Sequence, residues 1–240
     1  MGQVPSRNDK PKYLIVGNGK LAKHFIYYFS SLNISYSQVT RESIDAFENE
    51  SLKTDRILVL INDDQIENFV AQHRKDFLED KIWIHCSGVL SIEKAESAHP
   101  LVSFTEKLFD LEFYKSIPFV VEDGRRNLHE LFPELPNPGF SIAQGKKGIY
   151  HAWTSMAGNF TTILWQNYFD FLENELSMPL TIAEPYLHSV KYNLLHSKDP
   201  LTGPLVRADV KTINEHLKQL HNHPFEDVYK SFIKLFYKES

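Results

Sequence analysis

The stretch Gly17-Asn18-Gly19-Lys20-Leu21-Ala22 constrains this chain more than any other. It follows the aliphatic run Tyr13-Leu14-Ile15-Val16 and opens a helical pattern over residues 20–30. A strand that turns sharply into a helix needs one glycine for the turn and a second where the backbone approaches a phosphate. It also needs a small third residue so that the helix packs closely on the strand. Gly17, Gly19 and Ala22 meet those three demands, and Asn18, Lys20 and Leu21 complete a cradle for a dinucleotide pyrophosphate at the helix start. Glycine is scarce elsewhere, with ten in 240 residues, about 4% against a usual ~7%. A purely structural turn is the other reading of the same residues.

The pattern around this turn extends it to a fold. Residues 34–40 alternate loosely, 56–61 read as a buried strand, and 64–77 as a helix. Further strands are predicted at 81–85, 101–104 and 117–121. Such alternation specifies a Rossmann-type parallel sheet with helices on both faces. Beyond about residue 145 the pattern becomes helical, over 146–175, 181–196, 206–220 and 224–238. The chain is therefore predicted to be α/β, with a flexible tail at 1–11, a dinucleotide-binding domain at 12–144 and an all-α substrate and dimerisation domain at 145–240.

Composition removes several function classes. Acids number 31 against 26 bases, a formal charge of −5, and the signs are mixed throughout, so no nucleic-acid partner is expected. The longest aliphatic run, Ile57-Leu58-Val59-Leu60-Ile61, is far short of the roughly 20 residues of a spanning helix. No membrane span and no secretory signal are expected. The one cysteine, Cys86, cannot form an internal disulfide, which is compatible with the expected cytoplasmic location.

The second strand ends Val39-Thr40-Arg41. An acid at this place would bond the ribose hydroxyls of NAD, whereas Thr40 and Arg41 offer a hydroxyl and a guanidinium. Arg41 suits a 2′-phosphate, so NADP(H) is the predicted cofactor; a solvated surface arginine is the alternative. His85-Cys86-Ser87-Gly88 ends a later strand at the sheet's carboxyl edge, where open α/β sheets bind ligands, so Ser87 and Gly88 are candidates to border the nicotinamide.

The motifs His85-Cys86-Ser87-Gly88, Ala98-His99-Pro100-Leu101, Tyr150-His151…Asn159 and Leu201-Thr202-Gly203-Pro204…Arg207-Ala208-Asp209 together resemble Rossmann-like proteins with a DUF2520 C-terminal domain. That family is similar in architecture to pyrroline-5-carboxylate reductase and other members of the 6-phosphogluconate dehydrogenase-like clan. The resemblance covers roughly residues 12–238 and departs at Ala208, where the family usually has glycine. It implies an NADP-type oxidoreductase fold, a homodimer formed through the helical domain, and a positioning role for Asn193.

Within the predicted 146–175 helix, His151, Ser155, Asn159, Thr162 and Gln166 share one side at ~100° per residue, opposite Ile149, Trp153, Met156, Ala157, Phe160 and Leu164. The apolar side is predicted to pack in the core. The uncharged polar side fits either a small-substrate cleft, with Ser155 among its contacts, or a polar seam between subunits. Thr202 and Gly203 begin a turn after which Arg207 is expected in the first turns of a helix, as a fork for a substrate carboxylate or as a partner of Asp209. His151 is the candidate proton donor, because imidazole titrates near neutral pH, with Lys191 as the alternative acid. Asn159 and Asn193 would position the substrate. His221-Asn222-His223 lacks a third ligand at any metal-binding spacing, so no metal is expected. The predicted activity is NADPH-dependent reduction of a small carboxylated ketone, with 2-dehydropantoate chosen because the family is associated with pantothenate synthesis. Imine reduction and a nucleotide-binding regulator without turnover are the alternatives.

Overall fold

A computed structural model describes residues 12–238; the predicted tail at 1–11 lies outside them. Seven strands form one sheet in the order β2-β1-β3-β4-β5-β6-β7. They are β1 (Tyr13–Val16), β2 (Tyr36–Val39), β3 (Arg56–Val59), β4 (Ile82–His85), β5 (Glu96–Pro100), β6 (Phe119–Glu122) and β7 (Gly139–Ile142). The first five run parallel, β6 is antiparallel to β5, and β7 is parallel to β6.

The central strands read as continuous apolar runs because both sheet faces are covered. Successive side chains point to opposite faces, and β1 divides accordingly. Tyr13 and Ile15 join one core with Phe25 and Phe29 of α1 (Lys20–Ser31), Tyr114 of α4 (Leu111–Ser116) and Leu128 and Leu131 of α5 (Leu128–Leu131). Leu14 and Val16 join another with Phe47 of α2 (Phe47–Ser51), Ile66 and Val70 of α3 (Asp63–His73) and Trp83 of β4. Helices therefore do lie on both faces, as the alternation of elements predicts.

Two strand assignments change. The segment predicted at 101–104 is not a strand. The pairing belongs to β5, whose Ser97 and Ala98 are buried between β4 and β6 although the segment has little apolar character. β7 adds a strand at the sheet edge, and its exposed residues show no burial alternation that would leave a sequence signal.

The helical region begins with α6 (Lys147–Ser155), which continues through a π-helical turn at Met156–Phe160 into α7 (Thr161–Asn174). It then forms α8 (Glu184–His196), α9 (Val210–Gln219) and α10 (Glu226–Lys238). The chain separates into two compact units, divided between Leu164 and Trp165. Arg207 is not in a helix: α9 starts at Val210, with Asp209 as its N-cap accepting from the Thr212 amide at 3.1 Å and hydroxyl at 2.7 Å. The cap sets the helix start past Arg207, because Asp209 satisfies the free Thr212 amide.

Candidate functional site

The phosphate cradle is built by backbone geometry. Gly17 has φ +118°, and a Cβ there would lie 2.3 Å from the Leu60 carbonyl oxygen, so no other residue fits without moving β3's exit. The turn is held by Gly17 N–H donating to Val39 O at 2.9 Å and by Gln38 Nε2 donating to Gly17 O at 2.8 Å. Gly19 caps α1 with no side-chain bond and with open space beside it, and no acid stands in the first turn. The first amides of α1 are thus unclaimed and face no repelling carboxylate, which is the donor set an anion needs. Ala22 is fully buried under the sheet.

A cleft of about 650 Å³ runs from this turn, over Asn18, Lys20 and Leu21, past Thr40 and Arg41 to Phe69 and His73. Arg41 is exposed. Thr40 donates its hydroxyl to Glu42 Oε2 at 2.6 Å, a bond that holds the Glu42 carboxyl below the usual carboxylate range. The strand end has no acid, yet Glu42 stands one residue past Arg41 and lines the same cleft. Glu42 and the apolar wall of Ile44, Ile61 and Phe69 were missed in the sequence, since only the fold gathers them.

The second half of this edge lies after β4. The register Val16↔Val59 and Val59↔His85 puts the ends of β1, β3 and β4 side by side, so the Gly17 turn and Ser87-Gly88 share the carboxyl edge. Ser87 spends its hydroxyl on the turn itself, donating to Asp63 Oδ2 at 2.6 Å and accepting from the Val89 and Leu90 amides at 3.3 and 3.2 Å. Gly88 is buried and packed directly against two imidazoles. A Cβ at Gly88 would lie 2.4 Å from His151 Cδ2 and 3.0 Å from both Cδ2 and Nε2 of His99. The two imidazoles stand edge to face, centroids 5.8 Å apart, and His99 Nδ1 is 3.0 Å from the Tyr150 hydroxyl. Burial, reinforced by His151 and Lys147, pushes His99 down to about 4. Burial also raises the Cys86 thiol well above its ordinary range, so Cys86 is no nucleophile at neutral pH.

The polar side of the predicted 146–175 helix does not continue as one line. His151 and Ser155 are half-buried on α6, but the π turn winds fewer degrees per residue and displaces Asn159, Thr162 and Gln166, which are exposed. Thr162 turns its hydroxyl back to Gly158 O at 2.8 Å. Nor is the apolar side a core: Ile149, Trp153 and Phe160 are each more than half exposed. Periodicity reports an apolar face and not what covers it. In the second unit Lys191 is exposed and Asn193 half-buried on α8, while Thr202, Gly203 and Arg207 lie in the loop before α9. His221 faces Glu226 at 3.8 Å, and His223 Nδ1 accepts from the Phe225 amide at 3.1 Å. Among the described residues no cluster of three or more metal-ligating side chains is present, and no helix is long and apolar enough to cross a membrane.

Solved structures share this fold. A proposed NADP oxidoreductase from Bacteroides fragilis superposes with TM-score 0.73 at 16% identity, covering 94% of this chain and 97% of that one. A Thermotoga maritima protein gives TM-score 0.67 at 25% identity, with 94% and 97% covered. An imine reductase from Myxococcus stipitatus in complex with NADP+ gives 0.60 at 11% identity, with 95% and 93% covered. No curated protein matches the sequence. Residues 117–235 match the family model described as a domain of unknown function, DUF2520, so the chain is a Rossmann-like protein whose DUF2520 domain takes in β6 and β7 as well as the helical region.

Proposed function

We propose that this protein is an NADPH-dependent reductase of a small carboxylated ketone. The observation that carries the reading is the meeting, on one sheet edge, of a phosphate cradle at Gly17 and paired imidazoles over Gly88. The residues present fit the cofactor. Gly17, Gly19 and the first amides of α1 would hold its pyrophosphate, Arg41 with Thr40 its 2′-phosphate, and the Ile44–Phe69 wall its adenine. When bound, the reduced nicotinamide supplies a hydride to an electrophilic carbon.

The remaining chemistry belongs to the chain. His151 would give a proton to the carbonyl oxygen or imine nitrogen as the hydride reaches the carbon, and Ser155, one turn along α6, offers a hydroxyl. Asn159, exposed in the π turn, would position the substrate. Within this class the specific reading is 2-dehydropantoate to pantoate, supported by the family resemblance alone. Imine reduction is the second reading, favoured by the similarity to imine reductase structures. Incubation with NADPH and a panel of 2-oxo acids, 2-dehydropantoate and cyclic imines decides between them. Tight NADPH binding without oxidation on any member would overturn both in favour of a nucleotide-binding regulator.

The reading includes a homodimer. Trp153 and Phe160 in the first unit and Leu194, Leu195 and Leu235 in the second are each more than half exposed, apolar side chains that a partner surface would cover. A second copy is the proposed cover, and sedimentation of the full chain as a monomer would overturn that part.

A further inference from the structure

We propose that His99 is a second catalytic imidazole, a neutral hydrogen-bond donor to the substrate's carbonyl oxygen or imine nitrogen, held in its Nε2–H tautomer by Tyr150. The proposal rests on the reductase reading and adds to it a residue and a division of labour.

The geometry is specific. His99 sits on β5 and Tyr150 and His151 on α6, so two separate elements deliver two imidazoles to one glycine. The edge of His99 that carries Nε2 faces Gly88, and its other nitrogen is taken by the Tyr150 hydroxyl at 3.0 Å. Of the two groups, phenol is the stronger acid and imidazole the stronger base, so the hydroxyl donates to Nδ1 and the ring proton resides on Nε2. Burial raises the Tyr150 phenol, which keeps that proton in place at neutral pH.

The surroundings keep His99 uncharged. Burial first, then His151 and Lys147 from α6, oppose a positive charge there, and only Asp63, at the start of α3, favours one. Asp63 already accepts the Ser87 hydroxyl at 2.6 Å. A neutral N–H aimed at the atom where negative charge develops stabilises that charge without surrendering a proton, and the proton itself is left to His151. Gly88 makes this possible: any side chain there would occupy the space between the two rings.

The test is long-range proton–nitrogen correlation spectroscopy on the full chain with nitrogen-labelled histidines, His99 being assigned through His99→Gln. At pH 7 His99 should show the Nε2–H tautomer alone and stay uncharged down to pH 5. Tyr150→Phe should turn that signal into a tautomer mixture while the fold, followed by the other histidine signals, is kept. Addition of NADP+ should move the His99 and His151 signals and leave that of His216, on α9, in place. The Nδ1–H tautomer, a His99 charged at pH 6, or no response to Tyr150→Phe would overturn the proposal. So would NADP+ binding, followed by protein fluorescence, that moves neither ring, and in that case the cofactor reading survives. Failure of NADP+ to bind at all removes the reductase reading and this role with it.

Discussion

Lys147 Nζ lies 3.1 Å from Glu122 Oε1 with 5% and 1% of the two side chains exposed, and it also donates to Ser97 Oγ at 2.7 Å and to the Leu90 carbonyl. One buried ammonium at the start of α6 thereby ties the helix that carries His151 to β5, β6 and the loop after β4.

Removing one partner of such a pair leaves a buried charge without compensation, at a cost of about 3–5 kcal/mol. Lys147→Met should lower unfolding stability by that order in urea titrations. The double variant Lys147→Met with Glu122→Leu should recover much of it, because no charge then remains to bury. Equal stability of the single variant and the parent would contradict the arrangement.

His85 is fully buried, and burial together with Lys147 and Arg125 pushes its imidazole down to about 3. Its folded value lies below the unfolded value of about 6.5, so between those limits the unfolded chain binds the extra proton. Stability is fully present above about pH 6.5 and falls as pH drops towards 3, by about 1.4 kcal/mol per unit from this group. His85→Asn, which keeps an acceptor for the Ser87 amide, should flatten the acid limb of a denaturation profile. An unchanged limb would show that other groups set it.

Cofactor choice should follow the charges beside Thr40. NADPH should bind at least ten times more tightly than NADH, which corresponds to about 1.4 kcal/mol. Arg41→Ala should raise the NADPH dissociation constant and leave NADH nearly unchanged. Glu42→Gln should lower the NADPH constant several-fold, because an ionised carboxylate in the same cleft repels a 2′-phosphate. Titration by protein fluorescence measures all three, and equal affinities in the parent would refute the assignment.

His151→Ala should cut turnover by about 10²-fold, the usual size for loss of a general acid, while NADPH affinity stays within a few-fold. His221→Ala is the control, since that side chain is exposed in the second unit and faces Glu226. Parental turnover in both would move the proton source to Lys191 or water.

Ala208 adopts φ +51°, a left-handed conformation that costs a Cβ-bearing residue roughly 1 kcal/mol. Ala208→Gly should relieve it, with a gain smaller than that because glycine also loses more chain entropy on folding. A thermal melt that falls by several degrees would contradict this.

The sequence alone determined the strand–glycine–helix cradle, the layered α/β half and the helical half. These are local: Gly17's turn, the apolar runs of β1, β3 and β4, and the repeat of α10 each lie in a few adjacent residues. It also supplied Arg41 and His151 as candidates, by residue type and offset from those elements. Only tertiary structure brought His99 from β5 to His151 over Gly88, gathered Glu42 and Phe69 into one cleft, and made a strand of Glu96–Pro100. Those relationships depend on which strands become neighbours, a property of long-range pairing that no local period encodes. The π turn at Met156–Phe160 shows the same limit on a smaller scale. One changed turn re-aims Asn159 and everything beyond it, while the periodicity on either side still reads as a single helix.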